Sequence, residues 1–293
     1  MFYHVQTLQF EAKPDGPDPA FAKRLQEILG GKWGELTVAL QYLQQGWNCR
    51  MPGKYKDMLL GIGTEELAHV EMICTMIARL NEGAPMSVQE AAVSDNPMTA
   101  AIYGGSNPQH LINNGGGGYY QDSSGVPWLG AYTTSSGNLM ADFHLNATAE
   151  MQGRLQVSRL YNMTDDPGVK AMLRFNLARD HMHQQQWLAA IEELKADGLE
   201  GLPVPEAFPN ESEQNLDFVS QYMNCSDGAE AGAGRWASGE MPDGSGRNFS
   251  YTDNPEPHGD RPVLPPGDPR LYGTPPPSAA SMNPATGTTD TQE

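Results

Sequence analysis

Four stretches of this chain, residues 21–47, 54–80, 137–161 and 167–194, repeat apolar side chains at helical spacing, and each sets ionisable groups in the middle of its apolar face. The first face runs Ile28, Gly31, Glu35, Val38, Ala39, Tyr42, and the second Leu59, Ile62, Glu66, His69, Val70, Ile73, Ile77. The third runs Leu139, Phe143, Ala147, Glu150, Gly153, Val157, and the fourth Leu173, Asn176, Asp180, His183, Trp187, Ile191. An ionised carboxylate on a buried face costs several kcal/mol unless it finds a proton, a cation or a metal ion. Three inward glutamates and two inward histidines on four helices therefore point to a metal centre.

The connections set the topology. Helices one and two are joined by a short turn at 48–53, and helices three and four by another at 162–166, so each pair is antiparallel. Residues 81–136 between the pairs carry Gly104–Gly105, the run Gly115 to Gly118 and Pro127–Trp128, which is turn chemistry and predicts a long crossover. Four helices with one long crossover make an all-α, ferritin-like four-helix bundle. The expected organisation is an N-terminal extension over 1–20, the bundle over 21–197 with its crossover at 81–136, and an extended Pro/Gly-rich tail over 198–293. Most of the 23 prolines fall after residue 200. That tail is too polar to make a core of its own, but Phe208, Phe218, Tyr222, Trp236, Phe249 and Tyr251 give it anchors for wrapping over the bundle or a neighbour. Residues 274–293 read as disordered.

Counting donors narrows the site. A carboxylate-bridged dimetal centre in such a bundle takes a Glu from each of two helices and an ExxH from each of the other two. Here the fourth acid is Asp180, one methylene short, which suits holding a ring or a solvent proton rather than a metal. The ligand set is then Glu35, Glu66, His69, Glu150 and His183, hard oxygen and imidazole donors that suit manganese or iron alike. Glu65 and Glu71 fall off the stripe and read as solvated charges. His181 lies about 200° from His183 around the helix and faces solvent, and His4, His110, His144 and His258 read as non-ligands.

Composition excludes other classes. Thirty-six acidic against 18 basic residues give a net charge of −18, which repels nucleic acid and anionic membranes. Three cysteines without a CxxC pair fit a reducing compartment, and the start of the chain has no signal-peptide pattern, so a cytoplasmic protein is expected.

Longer motifs carry a resemblance. WGELTVALQY around Glu35, TEELAHVEM around Glu66 and His69, SGNLMADFHLNATAE ending at Glu150, LYNMTDDPGV, and ARDHMHQQQWLAAIEEL around His183 resemble the manganese (non-haem, dimanganese) catalases, as do RWASGEMPDGSG and LPPGDPRLYGT in the tail. The resemblance implies disproportionation of hydrogen peroxide to water and dioxygen at two manganese ions per subunit, held by the same five residues. It also implies protection against oxidative stress and a homohexamer. Glu150 and Asp180 are then expected to handle protons, and Tyr42 resembles the family's tyrosine beside the site. Some members have an Arg before the third-helix Glu, paired with a Glu before the fourth-helix His; Ala149 and Asp180 stand there in this chain. Some also bind calcium at a subunit contact, and Asp57, Asn224, Ser226 and Gly228 match that pattern while Gly61 replaces its second aspartate. The alternatives are a ferritin-like di-iron oxidase or peroxidase, and a structural coat protein that keeps the fold.

Overall fold

A computed structural model of the chain describes residues 4–51, 53–82, 108–199, 216–228, 230–259 and 261–263. Residues 83–107 of the crossover, Phe208, the LPPGDPRLYGT motif and the end of the tail (274–293) lie outside these residues. The chain forms two compact units, Met1–Phe208 and Pro209–Glu293.

The first unit is helical: α1 (Pro19–Gly30), α2 (Glu35–Asn48), α3 (Gly53–Asn81), α4 (Pro108–Asn114), α5 (Leu139–Tyr161) and α6 (Pro167–Ala196). Local chemistry sets the helix starts. Asp18, Asn138 and Asp166 accept hydrogen bonds from the backbone N–H groups of Phe21, Ala141 and Val169, and proline occupies the first position of α1 and α6. α5 packs along α6, α2 along α3, and α1 also lies on α3. No helix among the described residues is long and apolar enough to cross a membrane.

The first predicted helix is in fact two. The chain turns between Gly30 and Glu35, with Gly31 and Gly34 in extended backbone as caps. A Cβ on Gly31 would run into Glu27 O, and one on Gly34 would crowd the Ile28 and Leu29 carbonyls, so only glycine lets the chain fold back this tightly. The break makes Glu35 the first residue of α2 and brings its carboxylate to a helix N-terminus, where the helix dipole favours negative charge.

Two apolar clusters fill the bundle. One gathers Phe21, Leu25, Ile28, Met72, Ile73, Met76, Ile77, Val157, Val169, Met172 and Leu173; the other gathers Val38, Tyr42, Tyr55, Leu59, Ile62, Phe143, Trp187, Ile191 and Leu194. On α3 and α6 the ionisable residues fall between the two sets in sequence, a polar layer between two dry halves. The crossover is pinned by side-chain amides: Gln26 donates to the Tyr119 and Gln121 carbonyls, and Gln45 to that of Thr134.

The second unit corrects the all-α expectation. It holds a three-stranded sheet of order β1-β3-β2, with β1 (Gln221–Asn224) parallel to β3 (Asn248–Asp253) and β2 (Gly239–Glu240) antiparallel to it. Gly244 and Gly246, both at positive φ, permit the tight return from β2 to β3, and Tyr222 meets Tyr251 edge to face across β1 and β3 at 5.3 Å between ring centroids. The protein is mostly helical, with a small sheet in its tail.

Candidate metal centre

The helices bring all five sequence-selected ligands together. Glu35 starts α2, Glu66 and His69 sit one turn apart on α3, Glu150 lies in α5 and His183 in α6, and every one is buried. Two groups of donors form, Glu35 with Glu66 and His69, and Glu66 with Glu150 and His183, the atoms of each within 4.8 Å of one another. Glu66 belongs to both. Its Oε2 accepts from His69 Nδ1 at 2.7 Å, and its Oε1 stands 2.6 Å from His183 Nδ1. The latter two atoms are buried and not aligned for a hydrogen bond, so both lack a partner among the described residues. Buried N and O donors crowded this closely are the arrangement a cation completes by displacing the imidazole protons, and the O/N donor set fits two hard cations sharing Glu66.

The surroundings hold these groups in place. Tyr42 donates its hydroxyl to Glu150 Oε1 at 2.7 Å, Trp187 Nε1 donates to the same oxygen at 3.3 Å, and Asn176 Nδ2 donates to Glu35 Oε1 at 2.9 Å. Asp180 is buried beside them but joins neither donor group, and its Oδ1 has no hydrogen-bond partner among the described residues. Ala149 packs in the apolar cluster.

Burial decides the protonation pattern. It pushes the Glu35 carboxyl up to about 7 and that of Glu150 up to about 8, each reinforced by the negative charge of Glu66. Asp180 is raised well above the carboxylate range by burial and then by Glu35. Burial also opposes the charge on Glu66, but His69 and His183 outweigh it and hold this carboxyl below its usual range. The imidazoles respond in kind: burial opposes their charge, yet Glu66 raises His69 well above its ordinary value and His183 to about 10. Without metal, one ionised carboxylate shared by two imidazoles is the stable state of the centre.

Glu65 corrects the sequence reading. It is not a solvated charge: Arg179 Nε and Nη2 donate to its two oxygens at 2.6 and 3.1 Å, Gln9 Nε2 donates to Oε1 at 2.8 Å, and His183 Nε2 donates to Oε2 at 3.0 Å. His183, Arg179 and Gln9 together overcome burial and lower its carboxyl below the usual range. Glu71 pairs with His4 near the surface. His181, His144, His4 and His258 are exposed, and His110, buried in α4, joins neither donor group. Asp57 is exposed on α3. In the second unit, Asn224 Nδ2 donates to Ser226 O, Gly228 O and Asp253 Oδ1.

Comparison with known proteins agrees with this geometry. The family described as manganese containing catalase matches residues 1–290. The chain belongs to that family. It is 53% identical over 274 residues to a manganese catalase of Bacillus subtilis, covering 94% of this chain and 98% of the relative. It is 44% identical over 272 residues to one of Lactiplantibacillus plantarum, covering 93% and 98%. Among solved structures, KatB, a manganese catalase from Anabaena, superimposes with a TM-score of 0.67 at 29% identity, over 87% of this chain and all of that one. That match carries the ferritin-like assignment of the helical unit.

Proposed function

We propose that this chain is a non-haem manganese catalase that converts hydrogen peroxide to water and dioxygen, with two manganese ions held by Glu35, Glu66, His69, Glu150 and His183. The observation that carries the proposal is the pair of buried donor groups sharing Glu66, with Glu66 Oε1 and His183 Nδ1 2.6 Å apart. The bound ions supply a two-electron couple shared between adjacent centres, so that peroxide is reduced or oxidised without release of a radical. The rest falls to the protein. Reduction of peroxide needs a proton at the oxygen–oxygen bond, and oxidation needs one taken away. Glu150, buried among the donor atoms of the centre, is the carboxyl placed to exchange that proton. Tyr42 and Trp187 both donate to its Oε1 and fix the direction of the carboxyl. Asp180, kept neutral by burial and by Glu35, holds a proton beside the centre. The two apolar clusters on either side keep bulk water from the reacting atoms.

The same reading places the protein in the cytoplasm as a homohexamer, with the boundary between bundle and tail near residue 198 and the tail lying across neighbouring subunits. Calcium is not part of it, because Gly61 offers no carboxylate on the helix that carries Asp57. An oxygen electrode tests the activity. Haem-free protein should release dioxygen from peroxide with no added reductant; a di-iron peroxidase would need a reductant and release none, and a coat protein would do neither.

A further inference from the structure

His69 and His183 are held between two adjacent residues of α3. Their Nδ1 atoms face Glu66, at 2.7 and 2.6 Å, while their Nε2 atoms face Glu65, at 3.8 and 3.0 Å. The rings stack 24° from parallel with centroids 5.8 Å apart, so one carboxylate reaches the outer edge of both. We infer that Glu65 is a positioning residue for the whole centre, the carboxylate that the Nε2 atoms of both imidazoles face: it accepts from His183 Nε2 at 3.0 Å, stands 3.8 Å from His69 Nε2, and so aims both Nδ1 atoms toward the metal pair. The inference rests on the proposed function and adds a residue that binds no metal itself.

Three observations support it. Arg179 grips both Glu65 oxygens and Gln9 one of them, which keeps the group an ionised acceptor in a fixed plane. An ionised carboxylate can only accept, so the proton in the 3.0 Å contact belongs to His183 Nε2. Among the described residues His69 Nε2 is buried with no hydrogen-bond partner, and Glu65 Oε1 faces it at 3.8 Å, an electrostatic contact rather than a hydrogen bond. The N-terminal segment completes the outer wall: Phe10, next to Gln9, stacks on Phe175 at 4.7 Å, and Phe175 meets the His69 ring edge-on at 6.3 Å. An imidazole whose far N–H is bound to a carboxylate is both oriented and made a stronger donor. Because Glu65 faces both rings, its loss should weaken the two metal positions together, unlike the loss of either histidine.

The test is titration of metal-free protein with Mn²⁺, following the electron-paramagnetic resonance signal of the free ion to obtain stoichiometry and affinity. Glu65→Ala should weaken both sites about 10–100-fold. Glu65→Gln, which keeps an acceptor oxygen but no charge, should fall between that variant and wild type, and Glu71→Ala should match wild type. Melting curves of the metal-free variants establish that they are folded; if Glu65→Ala is not, joint weakening of both sites in Glu65→Gln is the expected result. Wild-type affinity in the Glu65 variants, or a loss confined to one site, would overturn the inference. Wild-type protein that takes up no Mn²⁺ would instead overturn the proposed function.

Discussion

Glu150→Gln should make the metal-free protein more stable at alkaline pH, and added manganese should narrow that gain. Glu150 is buried against the charge of Glu66, which raises its carboxyl from 4.5 to about 8. The folded chain therefore keeps a proton that the unfolded chain has released. Stability from this group is complete below pH 4.5 and is lost as the pH rises through 8. Each pH unit between those values costs the folded state about 1.4 kcal/mol, so the penalty is on the order of 5 kcal/mol at pH 9. Glutamine removes the charge and keeps a carbonyl oxygen for Tyr42 and Trp187 to donate to. A gain of that size corresponds to roughly 10 °C in melting temperature for a chain of this length. The assay is differential scanning calorimetry of chelator-treated protein at pH 5 and pH 9. The two proteins should melt together at pH 5, and the variant should melt higher at pH 9. With Mn²⁺ in excess the gap at pH 9 should narrow, since ligand at about 100 times its dissociation constant adds about 2.7 kcal/mol to whichever fold binds it. Equal melting of the metal-free proteins at pH 9, or a more stable wild type, would refute the buried, charge-crowded position assigned to Glu150.

Other substitutions separate the inner from the outer face. His183→Ala should lose one metal ion and the release of dioxygen, whereas His181→Ala, at an exposed position, should keep both by elemental analysis and oxygen electrode. Tyr42→Phe removes a 2.7 Å hydrogen bond to Glu150; it should retain two metal ions, lose about 1–2 kcal/mol of stability and turn over about tenfold more slowly. Truncation after Gly198 should leave helical circular dichroism intact and give a smaller particle by light scattering, as expected if the tail joins subunits.

The five buried donor residues were legible because each helix face has a fixed period, and polar intrusions on an apolar stripe stand out against it. The same method concealed the break between α1 and α2, because Gly31 counts as an apolar position although its role is to let the chain turn. Glu65 was missed for a related reason. A centre for two metals is wider than one stripe, so its outer layer falls on positions that a single face assigns to solvent. The signal was present in the spacing: Glu65 lies four residues before His69 and Arg179 four before His183, an acid and a base one turn behind the two imidazoles. Gln9 left no such signal, since it acts from an extension without periodicity. The tail sheet was unreadable because β1 and β3 are short, parallel and far apart in sequence, so no hairpin turn sets their register.

The central claim is that activity belongs to a dimanganese centre built on a shared Glu66, and the manganese content of the purified protein, measured alongside dioxygen release, tests it most directly. Protein from manganese-supplemented cells should contain about two manganese ions per chain, as expected for two donor groups that share one carboxylate, and activity should rise with occupancy until both sites are filled. Protein from the same cells that carries iron alone and releases no dioxygen from peroxide would contradict the account.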